Sequence, residues 1–176
     1  MRILKIFAML LFIAVFSSTV YSGELKKKIT AEVNGLNIFY TEKTTLSKQG
    51  FNLEKSKYLK DRGAYRLMVV NRFKQRYLKG PSLRAEGWKD VVFLDKDQIL
   101  KIQCTVRGAI TKTIGENVAD FEWLLEPYNI DLFYFKKTSP KELSCYKKLN
   151  GIPVQFTLKF PSAFIGHCYF HVWYKQ

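Results

Sequence analysis

Two histidines, three cysteines and scattered carboxylates are the side chains of this 176-residue sequence with the means for chemistry. His167 and His171 stand four apart, the spacing at which two imidazoles on one helix can chelate a metal. They fall in IGHCYFHVWY, which alternates like a strand, and an extended backbone would hold them about 13 Å apart. Structural histidines are expected from that spacing, and no metal. Cys168, beside His167, would point to the opposite strand face, so the two make no nucleophile–base pair. Glu122 and Glu126 can share a face, as can Asp95 and Asp97, but glycoside hydrolysis demands a carboxylate separation that sequence spacing does not supply. There is no Gly-rich phosphate loop and no CxxC. The reading is a non-enzymatic protein, with no catalytic residue assigned and no cofactor. A hydrolase using His167 or His171 is the third option, behind two binding functions.

Cys104, Cys145 and Cys168 allow three single pairings, and one disulfide is expected in an oxidising compartment. The alternative is three buried thiols acting as small apolar residues. A late aromatic cluster surrounds Pro127: Trp123, Tyr128, Phe133, Tyr134, Phe135 and Tyr146. Tyr and Trp suit wet apolar boundaries, including a membrane interface, so Trp123, Tyr128, Phe133, Tyr134 and Tyr146 are candidate membrane or ligand contacts. The plainer reading is core and rim aromatics.

The elements that would hold these residues begin after a leader. MRILKIFAMLLFIAVFSSTVYS has Arg2 and Lys5, then an uncharged apolar run from Ile6 to Phe16, then Val20 and Ser22 at the −3 and −1 positions of a cleavage site. Residues 1–22 read as a secretory signal peptide, the run being well short of the roughly 20 residues that cross a bilayer. Secretion or a periplasmic location follows, with residues 23–176 as one domain. The pattern there is mostly period two. Ile29–Val33 and Leu36–Tyr40 flank Asn34-Gly35 as a hairpin with a type I′ turn. Tyr65–Phe73 is β-rich. Val91–Leu94 and Ile99–Val106 flank a turn at Asp95–Gln98, with Leu100, Ile102, Cys104 and Val106 on one face. Phe121, Trp123 and Leu125 alternate with Asp120, Glu122 and Leu124, and Ile130–Phe135, Ile152–Phe160 and His167–Tyr174 complete the strands. A short helix is expected over Leu53–Arg62, capped by Asn52, and another after Ser139-Pro140 with Glu142 completing a capping box. Seven to nine strands and one or two short helices make a mainly β chain, an antiparallel β-sandwich.

The formal charge is +14, from 29 basic and 15 acidic residues. Two basic residues belong to the leader. The rest divide as 16 against 6 over residues 23–89, 4 against 8 over 90–135, and 7 against 1 over 136–176, or +10, −4 and +6. Such a field either lies on solvated outward strand positions or meets an anionic partner. Export argues against nucleic acid, leaving lipid head groups or an acidic protein.

Asp120 to Gln176 resembles the actinoporin-like family of secreted, basic β-sandwich cytolysins. The likeness lies in Pro127-Tyr128-Asn129-Ile130-Asp131-Leu132-Phe133, in Tyr146 on the expected capped helix, and in the closing Gly166–Val172. The resemblance implies head-group contact by Tyr128 and Tyr146. The sequence departs from the family at Leu125, where a head-group-binding Ser would stand, at Asn150-Gly151, where paired Tyr would stand, and at GELKKKIT, where the family has a long apolar helix. The leading expectation is an exported binding protein that engages an anionic or zwitterionic surface, including a membrane in the manner of a cytolysin. The alternative is a periplasmic inhibitor or immunity-type protein that neutralises an acidic toxin or hydrolase.

Overall fold

A computed structural model describes residues 23–175, so residues 1–22, where a signal peptide is expected, lie outside the described residues. The chain is mainly β. Among the described residues twelve strands form two sheets in a sandwich-like arrangement, accompanied by a helical hairpin and one short helix.

β1 (Glu24–Asn34) and β2 (Asn37–Leu46) open the larger sheet. Their two-residue loop is Gly35-Leu36, one position later than the Asn-Gly pair suggests, with Gly35 at φ +60. A glycine at the first loop position suits the type II′ class. The chain then makes α1 (Lys48–Lys60) and α2 (Arg62–Tyr77). Ser47 caps α1 by accepting from the Gly50 N–H, and Asp61 caps α2 by accepting from the Ala64 N–H at 2.9 Å. The Tyr65–Phe73 segment is therefore helical, not a strand. Its β-branched and aromatic composition is overridden by period: Tyr65, Val69, Phe73 and Tyr77 recur every four residues and are the four buried residues of α2.

β3 (Arg84–Glu86), β4 (Val92–Leu94) and β5 (Ile99–Arg107) follow, with β4 and β5 joined as expected through Asp95–Gln98. The smaller sheet takes β6 (Ile110–Lys112), β7 (Glu116–Asp120), β11 (Phe164–Cys168) and β12 (His171–Lys175), in the order β11-β12-β7-β6. The larger sheet is completed by β8 (Lys136–Ser139), β9 (Glu142–Leu149) and β10 (Ile152–Lys159), giving β3-β5-β2-β1-β10-β9-β8 with β4 also on β5. Its one parallel pair is β1 with β10.

Four further expectations are corrected. After Asp120 the chain turns into α3 (Glu122–Leu125), and Leu132–Tyr134 is a 3-10 turn, not a strand. No helix follows Ser139. The Ser139 hydroxyl accepts from the Lys141 N–H across a strand-to-strand turn, because Leu143 and Cys145 alternate inward and serve a sheet. His167 and His171 lie on the two strands of a hairpin, where Cys168 faces His171.

One face of the larger sheet carries the core. Ile29, Ala31, Val33, Ile38, Val106, Phe156 and Leu158 cluster with Ala119, Val172 and Tyr174 of the smaller sheet and with Phe121 just beyond β7. Leu46 and Leu100, further along the same face, pack under α1 and α2 with Phe51, Tyr65 and Val69. Beyond β5, Gly108 sits at φ +85, and a Cβ there would fall 2.2 Å from the Ser82 carbonyl oxygen. Gly108→Ala is expected to cost about 3 kcal/mol, because the left-handed backbone and the backbone clash add. Urea unfolding measures it, and a loss below about 0.5 kcal/mol would show the β3–β5 connection to be looser than described.

Candidate functional site

The aromatic candidates do not converge on one place. Trp123 is buried at 5%, donates its ring N–H to the Asp120 carbonyl at 3.0 Å, and packs on Tyr40 and Tyr77. Tyr128 is half-buried against Phe156 on the core face of the larger sheet. Phe133 and Tyr134 are exposed. Phe133 meets Tyr169, and the Lys147 ammonium lies 4.6 Å from the Tyr134 ring centre. Tyr146 is exposed on the other face of the larger sheet, since its neighbours Leu143 and Cys145 set the strand's alternation. Tyr128 and Tyr146 are thus separated by the sheet.

The three cysteines are free thiols, which corrects the expected disulfide. Cys104 on β5 and Cys145 on β9 are four strands apart, about 19 Å at ordinary strand spacing, far beyond disulfide reach. Cys168 is on the smaller sheet. Burial, then the Glu42 charge, pushes the Cys104 thiol up to about 12, and burial raises Cys145. Neither behaves as an activated nucleophile.

What the register does assemble is a cationic row on the open face of the larger sheet. Lys28 of β1 lies opposite Lys43 of β2, and Lys43 opposite Lys101 of β5. Gln155 and then Tyr146 extend the row on the other side of Lys28. Directly opposed side chains have Cβ atoms about 5 Å apart. Lys26 and Lys148 are exposed nearby on the same strands. Among the described residues none of Lys28, Lys43 and Lys101 pairs with a carboxylate. The acidic side chains of this face, Glu32, Glu86 and Glu142, share a row four residues along β1, about 13 Å away. Between the two rows lies an uncharged polar one, Gln103, Thr41, Thr30, Thr157 and Ser144, and the acidic row also holds Lys159 and the exposed Phe39.

The opposite face holds a cleft of about 870 Å³ between α2, the sheet and the Pro127-Tyr128 turn. Its floor carries a buried ion pair. Lys27 Nζ lies 3.1 Å from Glu42 Oε1, with side chains 7% and 12% exposed, and Glu24 stands 3.6 Å from Lys27. Glu42 also accepts from Thr44 at 3.1 Å and from Tyr40 at 2.5 Å. The Tyr40 hydroxyl is 3.3 Å from that of Tyr77, which is 2.5 Å from that of Tyr128. Burial alone would push the Glu42 carboxyl up, but the Lys27 ammonium and the Tyr40 hydrogen bond outweigh it and hold it below the ordinary range. Burial works against the Lys27 charge, and Glu42 foremost overcomes it, holding Lys27 above the usual lysine value. Burial, then Glu42, raises Tyr40 and Tyr77. Every shift moves these groups away from neutral pH, whereas general acid–base catalysis needs groups poised near it. The cluster is a fixed polar platform.

Both features escaped the sequence reading, though one left a trace there. Lys27 has the parity of Ile29, Ala31 and Val33, and Glu42 that of Ile38 and Tyr40, so both charges sit at inward positions. The lysine row depends on strand register and left none.

Among the described residues no helix is long and apolar enough to cross a membrane, and no group of three or more His, Cys, Asp or Glu is placed to hold a metal ion. No family model, curated protein or solved structure matches the chain.

Proposed function

We propose that this is an exported, non-enzymatic binding protein that lays the open face of its larger sheet on an anionic lipid surface. The observation that carries the reading is the in-register row Lys28–Lys43–Lys101. Like charges directly opposed across strands disfavour the fold, so a partner of opposite charge gives the row a purpose that stability does not. Lysines near an anionic bilayer contribute about 1 kcal/mol each. Tyr146, exposed at the end of the row, is the kind of amphipathic ring that settles at head-group depth.

Sedimentation with phosphatidylcholine vesicles, with and without phosphatidylserine, tests this. Binding is expected to the anionic vesicles only. It should fall steeply with added salt, as the screening length shortens from about 10 Å at 0.1 M to about 3 Å at 1 M. Equal binding to pure phosphatidylcholine would sink the electrostatic reading. No sedimentation at low salt would sink the lipid reading and leave the face to the acidic protein of the alternative.

A further inference from the structure

We propose that the hairpin of β11 and β12 carries a copper(I) site, made by the Cys168 thiolate and the His171 imidazole on the outer face of the smaller sheet. The site goes beyond the surface function and does not depend on it, because it lies on the sheet that does not carry the lysine row.

Cys168-Tyr169-Phe170-His171 closes the hairpin, with Cys168 and His171 directly opposite each other across a two-residue turn. Opposed side chains rise from the same face with Cβ atoms about 5 Å apart. That face is the outer one, since His171 and Trp173 alternate with the buried Val172 and Tyr174, and His171 is exposed. Of the three cysteines only Cys168 is not buried. Bonds of ordinary length, about 2.3 Å to sulfur and about 2.0 Å to nitrogen, place two donors about 4 Å apart in line across one ion. The opposed pair can span that distance.

The turn is held rigidly and under backbone strain. Tyr169 has φ +48, a left-handed conformation that a bulky side chain rarely adopts. Both loop carbonyls are anchored from outside the hairpin. That of Tyr169 accepts from the Leu132 N–H at 2.7 Å, and that of Phe170 accepts from the Phe121 N–H at 2.8 Å. Phe133 packs edge-on against Tyr169, with ring centres 5.4 Å apart. Strain enforced by surrounding contacts, beside a thiol and an imidazole, is the pattern of a preorganised site.

The donor set selects the ion. Among the described residues no third His, Cys, Asp or Glu joins the pair. His167, opposite the buried Val172, has inward parity, and its ring centre lies 6.2 Å from that of Phe164. Asp120 stands opposite His171 on its other side, two strand spacings or about 10 Å from Cys168, too far to share an ion with it. Zinc takes three or four protein ligands. Copper(I) is soft, accepts thiolate and imidazole, and is satisfied by two donors in line. Binding forms the copper–sulfur bond and releases the thiol proton to water, so the thiolate cancels the single charge of the ion. Asp120, with Oδ1 on the Glu122 N–H at 2.8 Å, is placed to receive the N–H of the metal-bound ring and is a positioning residue.

Anaerobic titration of the reduced protein with copper(I), against a colorimetric copper(I) chelator, tests the site. One equivalent should be held against the chelator, and X-ray absorption should show one sulfur and one nitrogen on the copper. Cys168→Ser and His171→Gln should each weaken binding about 100-fold or more, and Asp120→Asn about tenfold at an unchanged melting temperature. His167→Gln should leave binding unchanged, and zinc titrated alone should bind far more weakly than copper(I). Alkylation of the native protein by iodoacetamide, read by mass spectrometry, needs no variant: Cys168 should be modified, and one equivalent of copper(I) should protect it. Matching circular dichroism establishes that each variant is folded. Copper(I) held equally by Cys168→Ser or by His171→Gln, alkylation of Cys168 unaffected by copper(I), two sulfurs on the copper, or zinc bound as tightly as copper(I) would each overturn the proposal. Vesicle sedimentation by Cys168→Ser should be normal, which keeps a failure here separate from a failure of the lysine face.

Discussion

Lys27→Met should destabilise the protein by about 3–5 kcal/mol, because it strands a buried carboxylate without its cation. Glu42 would keep its bonds from Thr44 and Tyr40, but hydroxyl donors do not neutralise a charge that is 12% exposed. The double change Lys27→Met with Glu42→Leu should recover most of that loss, since an ion pair replaced by apolar groups of similar size is often neutral or better. Tyr40 would then face only the Tyr77 hydroxyl. Urea unfolding at neutral pH measures all three proteins. A single-mutant cost under about 1 kcal/mol would mean that water reaches the pair.

The same pair shapes the pH dependence. Glu42 is lowered in the folded state, so its contribution is complete above the ordinary glutamate value and is lost as pH falls through the folded value. Lys27 is raised, so its contribution is complete below the ordinary lysine value and is lost as pH rises through the folded one. Tyr40, Tyr77 and Tyr128 are held neutral above the ordinary tyrosine value, which adds to the alkaline loss. Stability should therefore form a plateau between the ordinary glutamate and tyrosine values. The double variant should lose the acid shoulder and keep the tyrosine part of the alkaline one.

Lys28→Gln, Lys43→Gln and Lys101→Gln together should abolish most anionic-vesicle binding. At about 1 kcal/mol per lysine the loss is about 3 kcal/mol, or two orders of magnitude in affinity. The same variant should unfold at slightly higher urea, because two cross-strand repulsions, each worth a few tenths of a kcal/mol, are removed. Neutralising Lys60, Lys74 and Lys112 makes the same change in net charge on other elements and should leave most of the binding. Equal losses from the two triples would mean that net charge, and not the row, drives association.

The chain alone reveals a good deal of this molecule. Alternation places Leu100, Ile102, Cys104 and Val106 on one face, and they point inward as expected. The same rule finds the hairpin through Asp95–Gln98 and the mainly β character. It fails where two periods compete. Tyr65–Phe73 has strand composition, but its aromatic and aliphatic residues recur every fourth position, and burial follows that period. Ser139-Pro140 has helix-start chemistry, but a hydroxyl that can cap a helix can equally close a turn, and the inward alternation of Leu143 and Cys145 favours the strand.

Local sequence determined which side of each strand a lysine occupies, and that Lys27 and Glu42 sit at inward parity. Only the tertiary structure decided that Lys28, Lys43 and Lys101 form one row, or that Lys27 meets Glu42. Those pairings depend on which strands become neighbours and in what register, and a shift of one residue would turn every side chain to the other face. That choice is made by the whole apolar face at once, as Ile29, Ala31, Ile38 and Val106 seek cover together, so it is written in no single segment of the chain.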